Sequence, residues 1–232
     1  MPDDTPRDLF GVRTGAATED YRAKPRQLYA TDLATMRIPK MYWRTTLDES
    51  PESTRAEIGT ILDRIGNGQI YDPEGITLLL VGSEGVGKTG AATLVAKRAR
   101  AWRHSVLFTT WRQIRDARRN PDAAMYDVES QKTLWARAVE VRLLVLDDIT
   151  PDDVDDRYHG HDVLLALLRD RAQAQQSTVL TTRASLDTTL PDYADRFPGS
   201  VLATIPRVLA LRVTGPNLTL RRNQALGESL YR

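Results

Sequence analysis

Residues 76–89 read Ile76-Thr77-Leu78-Leu79-Leu80-Val81-Gly82-Ser83-Glu84-Gly85-Val86-Gly87-Lys88-Thr89, and their pattern sets the expected fold. A short apolar run that ends at glycine fits a fully buried strand. Behind it, Ala91, Leu94, Val95, Ala99 and Trp102 recur at helical spacing from Lys88 to about Arg103. Strand, glycine-rich turn and helix thus frame the spacing G-x-x-x-x-G-K-[ST]. In such a turn Gly85 and Gly87 let the backbone curl until its N–H groups face phosphate oxygens. The helix behind adds the positive end of its dipole. The expected nucleotide cradle runs through Gly82, Ser83, Glu84, Gly85, Val86, Gly87, Lys88, Thr89 and Gly90. Lys88 is expected on the β and γ phosphates, and the Thr89 hydroxyl on Mg²⁺.

Outward from this stretch the pattern keeps alternating. Val106 to Thr109 reads as a strand, and Trp111 to Arg119 as a basic helix stopped by Asn120-Pro121. A helix from Ser130 to Val139 leads into an apolar strand, Val141 to Leu146. A further helix, His161 to Gln175, precedes a strand at Thr178 to Thr182. Strands alternating with helices predict an α/β fold, a parallel sheet covered on both faces. The run Leu143-Leu144-Val145-Leu146-Asp147-Asp148 sends two acids out of a strand's C-terminal edge. With a phosphate loop upstream, Asp147 is expected to hold Mg²⁺ through water and Asp148 to polarise the attacking water. No N-K-x-D guanine reader occurs in the chain, which favours ATP.

Composition narrows the remaining classes. The 232 residues are 41% hydrophobic and 27% charged, the balance of a globular chain large enough for a substantial core. There is no cysteine, so disulfides, zinc ribbons and thiol catalysis are excluded. No apolar run is long enough for a membrane span, and Met1-Pro2-Asp3-Asp4-Thr5-Pro6 does not resemble a signal peptide, so a cytoplasmic location is expected. Lys and Arg total 32 against 31 Asp and Glu, so net charge exerts no general pull toward nucleic acid. Residues 1–36 are polar and punctuated by proline and glycine, and are expected to form an arm that binds a partner. Residues 37–232 are expected to form the nucleotide-binding domain, opening with a helix from Ser53 to Arg64.

The order of these segments resembles the DnaC/IstB group of AAA+ ATPases, which includes bacterial and phage replicative-helicase loaders. The resemblance begins at Ile38-Pro39-Lys40-Met41-Tyr42-Trp43, passes through the phosphate loop, and continues in Val106-Leu107-Phe108-Thr109-Thr110-Trp111. It includes Leu144-Val145-Leu146-Asp147-Asp148-Ile149 and closes at Val213-Thr214-Gly215-Pro216-Asn217-Leu218 with Arg221-Arg222. It implies a P-loop NTPase of AAA+ type that binds ATP·Mg²⁺ and hydrolyses it slowly, forming a homo-oligomer when ATP is bound. It also implies a γ-phosphate sensor at Thr182 or its neighbour Thr181, although this chain continues with Arg183 where the group commonly has asparagine. An arginine finger that reaches a neighbouring copy is implied at Arg196, with Arg207 as the other candidate. Arg221 or Arg222 is the implied cis arginine.

The implied role is an accessory ATPase of DNA replication that loads a hexameric helicase onto single-stranded DNA. A transposition-helper ATPase of the same group and an ATP-dependent binding switch with little turnover stand as alternatives. For the DNA, Arg112, Arg115 and Arg119 recur at helical spacing, with Trp111 beside them as a stacking platform. The bland reading of the same helix is a solvated basic face with Trp111 packed in the core. No membrane partner is expected.

Overall fold

Five parallel strands form one sheet in the order β2-β3-β4-β1-β5. They are β1 (Thr77–Val81), β2 (Val106–Thr110), β3 (Leu143–Ile149), β4 (Ser177–Thr182) and β5 (Val208–Arg212). The structure, a computed structural model, describes residues 25–66, 75–119, 131–150, 160–183, 203 and 208–218. Its helices are α1 (Ala30–Thr35), α2 (Glu52–Gly66), α3 (Lys88–Ala101), α4 (Trp111–Arg119), α5 (Gln131–Glu140) and α6 (Gly160–Gln173). Short 3-10 turns occupy Lys40–Tyr42 and Leu47–Glu49.

Strand alternation divides the core in two. Leu78, Leu80, Val106, Phe108, Leu143, Val145 and Val179 face one side of the sheet and pack with α1, α2 and α3. Leu79, Val81, Leu107, Leu144, Leu146 and Leu180 face the other and pack with α4, α5 and α6. Because both faces are covered, β1 and β4 are buried at every position. Each fully buried Leu or Val side chain stabilises the fold by roughly 1.5–3 kcal/mol. That is why Leu78 to Val81 of β1 reads as an unbroken apolar run rather than an alternating one, while β4 buries Ser177, Thr178, Thr181 and Thr182 beside Val179 and Leu180.

Three expectations change. β5 was not foreseen; it pairs with β1 from Thr77↔Val208 to Val81↔Arg212. It is an edge strand in which no residue is fully buried, although its sequence opens with four apolar residues, Val208-Leu209-Ala210-Leu211. The boundary expected at residue 36 also moves. Leu33 and Met36 are buried in the first core cluster, Phe108 N–H donates to Met36 O at 2.8 Å, and Arg26 N–H donates to Ala101 O at 3.0 Å. Residues 25–36 therefore belong to the packed body. Asp32 anchors them by accepting from both Arg26 and Arg100, and these guanidiniums hold its carboxyl well below the usual range.

The third correction concerns Trp111, which is 0% exposed within the second core cluster. It cannot serve as a stacking platform. Helix α4 starts there because Gln113 N–H donates to Thr110 Oγ1 while Thr110 N–H donates back to Gln113 Oε1, the reciprocal arrangement of a capping box. That start directs Trp111, Ile114 and Ala117 inward and leaves Arg112 and Arg118 exposed. Arg118 lies over the Trp135 ring at 5.0 Å. Arg115 is half-buried, with its Nε 3.6 Å from Asp116.

Candidate active site

The C-terminal edges of β1, β3 and β4 meet at one cavity of about 550 Å³. The turn after β1 forms its floor. Gly85 and Gly87 have φ of +78° and +102°, left-handed conformations that side chains rarely adopt. Gly85 faces a second constraint, because a Cβ there would stand 2.2 Å from the Asn217 side chain. The turn is strapped from outside by the segment after β5. Val213 N–H donates to Val81 O at 2.7 Å, Leu218 N–H to Gly85 O at 2.8 Å, and Asn217 Nδ2 to Glu84 O at 3.3 Å. Residues more than 130 apart in sequence thus hold the loop.

Lys88 opens α3 and bends back over the turn, donating to Gly82 O at 2.8 Å and Ser83 O at 2.7 Å. Burial pushes its pKa down; Asp147, Asp148 and Glu84 oppose that, and the nearby Arg183 adds to it. Thr89 Oγ1 donates to the Asp147 carboxylate, 3.1 and 3.2 Å from its two oxygens. Burial pushes the Asp147 carboxyl up, against the hydrogen bonds from Thr181 and Thr89. Hydroxyl and carboxylate together form the hard oxygen pair that suits Mg²⁺. The left-handed turn, the N-terminus of α3 and the Lys88 ammonium suit a polyphosphate. The residues fit ATP and its metal.

Asp147 and Asp148 both line the cavity, although consecutive strand residues normally face opposite sides. A β-bulge accounts for this. Leu146 pairs with Leu180 and Ile149 with Thr182, so β3 carries one extra residue. Asp148 takes it up at φ +59°, a conformation costing of order 1 kcal/mol or more. Thr181 fixes the bulge, accepting from Asp148 N–H at 2.9 Å and donating to Asp147 Oδ1 at 2.7 Å. Thr182, the sensor candidate named first, points elsewhere: its hydroxyl donates to Ile149 O at 2.7 Å. The hydroxyl on the cavity is that of Thr181.

The phosphate-loop residues, Lys88, Thr89, Asp147 and Asp148 are thus brought together. Arg196, Arg207 and Arg221 lie outside the described residues. Sequence reasoning missed Thr45, Glu49, Ser50, Thr110 and Leu218, which complete the wall beside Met41 and Tyr42. None stands at a telling spacing from the loop. Hydrogen bonds across the fold bring this wall together: Ser53 Oγ donates to the Thr214 carbonyl at 2.7 Å and Lys97 Nζ to the Thr45 carbonyl at 3.0 Å.

A phosphate-binding turn on β1, an acid pair on β3 and a parallel five-stranded sheet define a P-loop NTPase of AAA+ type. Within that class, residues 70–204 match the family described as IstB-like ATP binding protein, and the chain belongs to that family. Among curated proteins none matches. Among solved structures, the fold is similar to a putative primosome component from Streptococcus pyogenes serotype M3 at 21% identity, TM-score 0.59, covering 82% of this chain and 99% of that one. It is similar to the DnaC helicase loader at 23% identity, TM-score 0.58, covering 75% and 99%. A replication initiator DnaA bound to AMPPCP and single-stranded DNA matches at 14% identity, TM-score 0.54, covering 82% and 55%. The chain spans about half the length of such initiators, 54% for one DNA replication initiation factor.

Proposed function

We propose that the protein is a Mg²⁺-dependent ATPase that helps load a hexameric helicase onto single-stranded DNA. The convergence of Lys88, Thr89, Asp147, Asp148 and Thr181 on one cavity carries the ATPase part. In this reading, the turn from Gly82 to Gly90 cradles the phosphates and Lys88 leaves the Gly82 and Ser83 carbonyls for the β and γ oxygens. Thr89 and Asp147 would hold Mg²⁺, which when bound would supply charge neutralisation for the phosphates. Asp148 orients a water for in-line attack on the γ-phosphorus, breaking its bond to the bridging oxygen and releasing ADP and phosphate. Arg196 is proposed as the finger offered to a neighbouring copy, with Arg207 the second candidate, and Arg221 as the cis arginine. The finger role needs a second copy of the chain beside the cavity. The likeness to a DnaC helicase loader across nearly all of that chain supports the replication role.

The DNA contact is proposed on the exposed face of α4, from Arg112 and Arg118 with Arg115 and Arg119 beside them and without Trp111. Reversing Arg112 and Arg118 to Glu should weaken single-strand binding and make it less salt-dependent, with nucleotide affinity unchanged. Equal DNA binding by the variant would remove α4 from the interface. The helicase role is tested by unwinding on a primed, protein-coated single-stranded circle with a purified replicative helicase. Unwinding that requires this chain and ATP, and fails with Lys88→Ala, is the expected result. Unwinding indifferent to the chain would exclude loading of that helicase.

A further inference from the structure

One wall of the cavity is built from the irregular segment 41–50, which contributes Met41, Tyr42, Thr45, Glu49 and Ser50. Its only regular structure is the two short 3-10 turns, whose hydrogen bonding is poorer than that of an α-helix. Two cations from neighbouring helices take up its carbonyls. Lys97 of α3 donates from Nζ to the Trp43 and Thr45 carbonyls at 2.6 and 3.0 Å. Arg55 of α2 donates from Nη2 to the Asp48 and Ser50 carbonyls at 2.9 and 3.2 Å. Lys97 stands seven residues after Gly90, about two turns of helix, and so on the same face of α3. Gly90 lines the cavity, and a Cβ there would meet Thr45 Cγ2 at 3.6 Å. The helix that opens at the phosphate turn thus lies against the segment at two heights, by close approach at Gly90 and by hydrogen bonds at Lys97. Burial pushes the Lys97 pKa down, and the Glu49 carboxylate opposes that. The wall differs in chemistry from the turn, because a carboxylate such as that of Glu49 repels phosphate. With the Tyr42 ring and the Thr45 hydroxyl beside it, it suits the uncharged nucleoside end of a nucleotide.

We propose that Lys97 is a positioning residue of this site, fixing the segment that carries Tyr42, Thr45 and Glu49 and thereby setting the affinity for the nucleoside part of ATP. This rests on the reading of the cavity as an ATP site. Lys97 does not line the cavity and acts through the main chain of Trp43 and Thr45. Without its ammonium the two carbonyls have to find water, and the segment loses its fixed distance from α3. Base and ribose are common to ATP and ADP, so loss of Lys97 weakens both alike. The phosphate turn keeps its hold on a ligand made of phosphate alone.

The test compares ligands with and without a nucleoside. Affinities of AMPPCP, ADP and inorganic tripolyphosphate, each with Mg²⁺, are measured by calorimetry for the full chain and for Lys97→Met, Lys97→Gln, Lys97→Arg and Lys88→Ala. Lys97→Met is expected to weaken AMPPCP and ADP by one common factor of about tenfold, the scale of a hydrogen bond from a charged group. Tripolyphosphate should change by less than about twofold, which also shows that the variant is folded. In turnover, KM for ATP should rise by that common factor while kcat stays within about twofold. Lys97→Arg should recover most of the loss, since it keeps the charge and the donors. Lys97→Gln, which keeps an amide donor on a shorter chain, should show the same selective loss on a smaller scale, and it decides the matter if Lys97→Met does not fold. Unchanged nucleotide affinities, or an equal loss for tripolyphosphate, would overturn the assignment. If the unaltered chain bound neither nucleotide, or Lys88→Ala bound all three ligands as well as it does, the ATP reading itself would fall, and this proposal with it.

Discussion

Threonines 181 and 182 are neighbours of one type, and only the strand's two-residue period separates their roles. Thr181 bonds Asp147 and holds the bulged Asp148, whereas Thr182 bonds the Ile149 carbonyl. Thr181→Val should therefore lower ATP turnover by about tenfold, the loss of a hydrogen bond to a charged group. Thr182→Val should leave turnover near normal and cost about 1 kcal/mol in denaturant unfolding. The reverse pattern would exchange the two roles. Arg171 presents a different single-residue case. It is 0% exposed and donates to Thr178 Oγ1 and to the carbonyls of Ala138, Val139, Val141 and Ser177. Burial pushes its pKa down to about 9. This side chain gathers the carbonyls at the end of α5 and the starts of β3 and β4. Arg171→Met would strand several buried carbonyls and should destabilise the protein by about 3 kcal/mol or more, read as a lower urea midpoint.

Among the elements, those whose burial is two-sided were legible in the sequence. Leu78 to Val81 of β1 and Leu143 to Leu146 of β3 are unbroken apolar runs because helices cover both faces, and α3 carries its apolar stripe at the expected period. The phosphate turn was legible because its chemistry demands glycine and lysine at fixed spacing. β5 was not, because an apolar run as short as Val208 to Leu211 does not by itself distinguish a strand from a piece of helix. The bulge in β3 was hidden too: a one-residue register slip leaves no compositional trace in Leu146-Asp147-Asp148-Ile149. Neither was the strap over the turn, which depends on contacts between the two ends of the chain. For α4, periodicity allowed Trp111 either as a stacking platform or as a core residue, and its burial makes it a core residue. Trp111→Ala should cost about 3–5 kcal/mol in unfolding free energy, as expected for a core tryptophan. A loss below about 1 kcal/mol would place Trp111 at the surface.

The whole molecule should also register its packing in its pH dependence. His104, in the connection from α3 to β2, is half-buried. Burial, and secondarily Arg142, push its pKa down from 6.5 to about 4. The unfolded chain then binds the proton more readily than the folded one. Its contribution to stability is complete above pH 6.5 and falls as the pH drops toward 4. Tm should decline between pH 6.5 and 5 in the unaltered chain and decline less in His104→Asn. Parallel curves would mean that the imidazole is solvated in the fold. Among the described residues no helix is long and apolar enough to cross a membrane.

At this scale the central claim is that the cavity at the edges of β1, β3 and β4 hydrolyses ATP and is completed by a neighbouring copy. The direct measurement is ATP hydrolysis rate against protein concentration, with and without single-stranded DNA, beside Lys88→Ala. A Lys88-dependent rate that rises faster than linearly with protein is the expected result. A rate that is strictly linear, or one that survives Lys88→Ala, would contradict it.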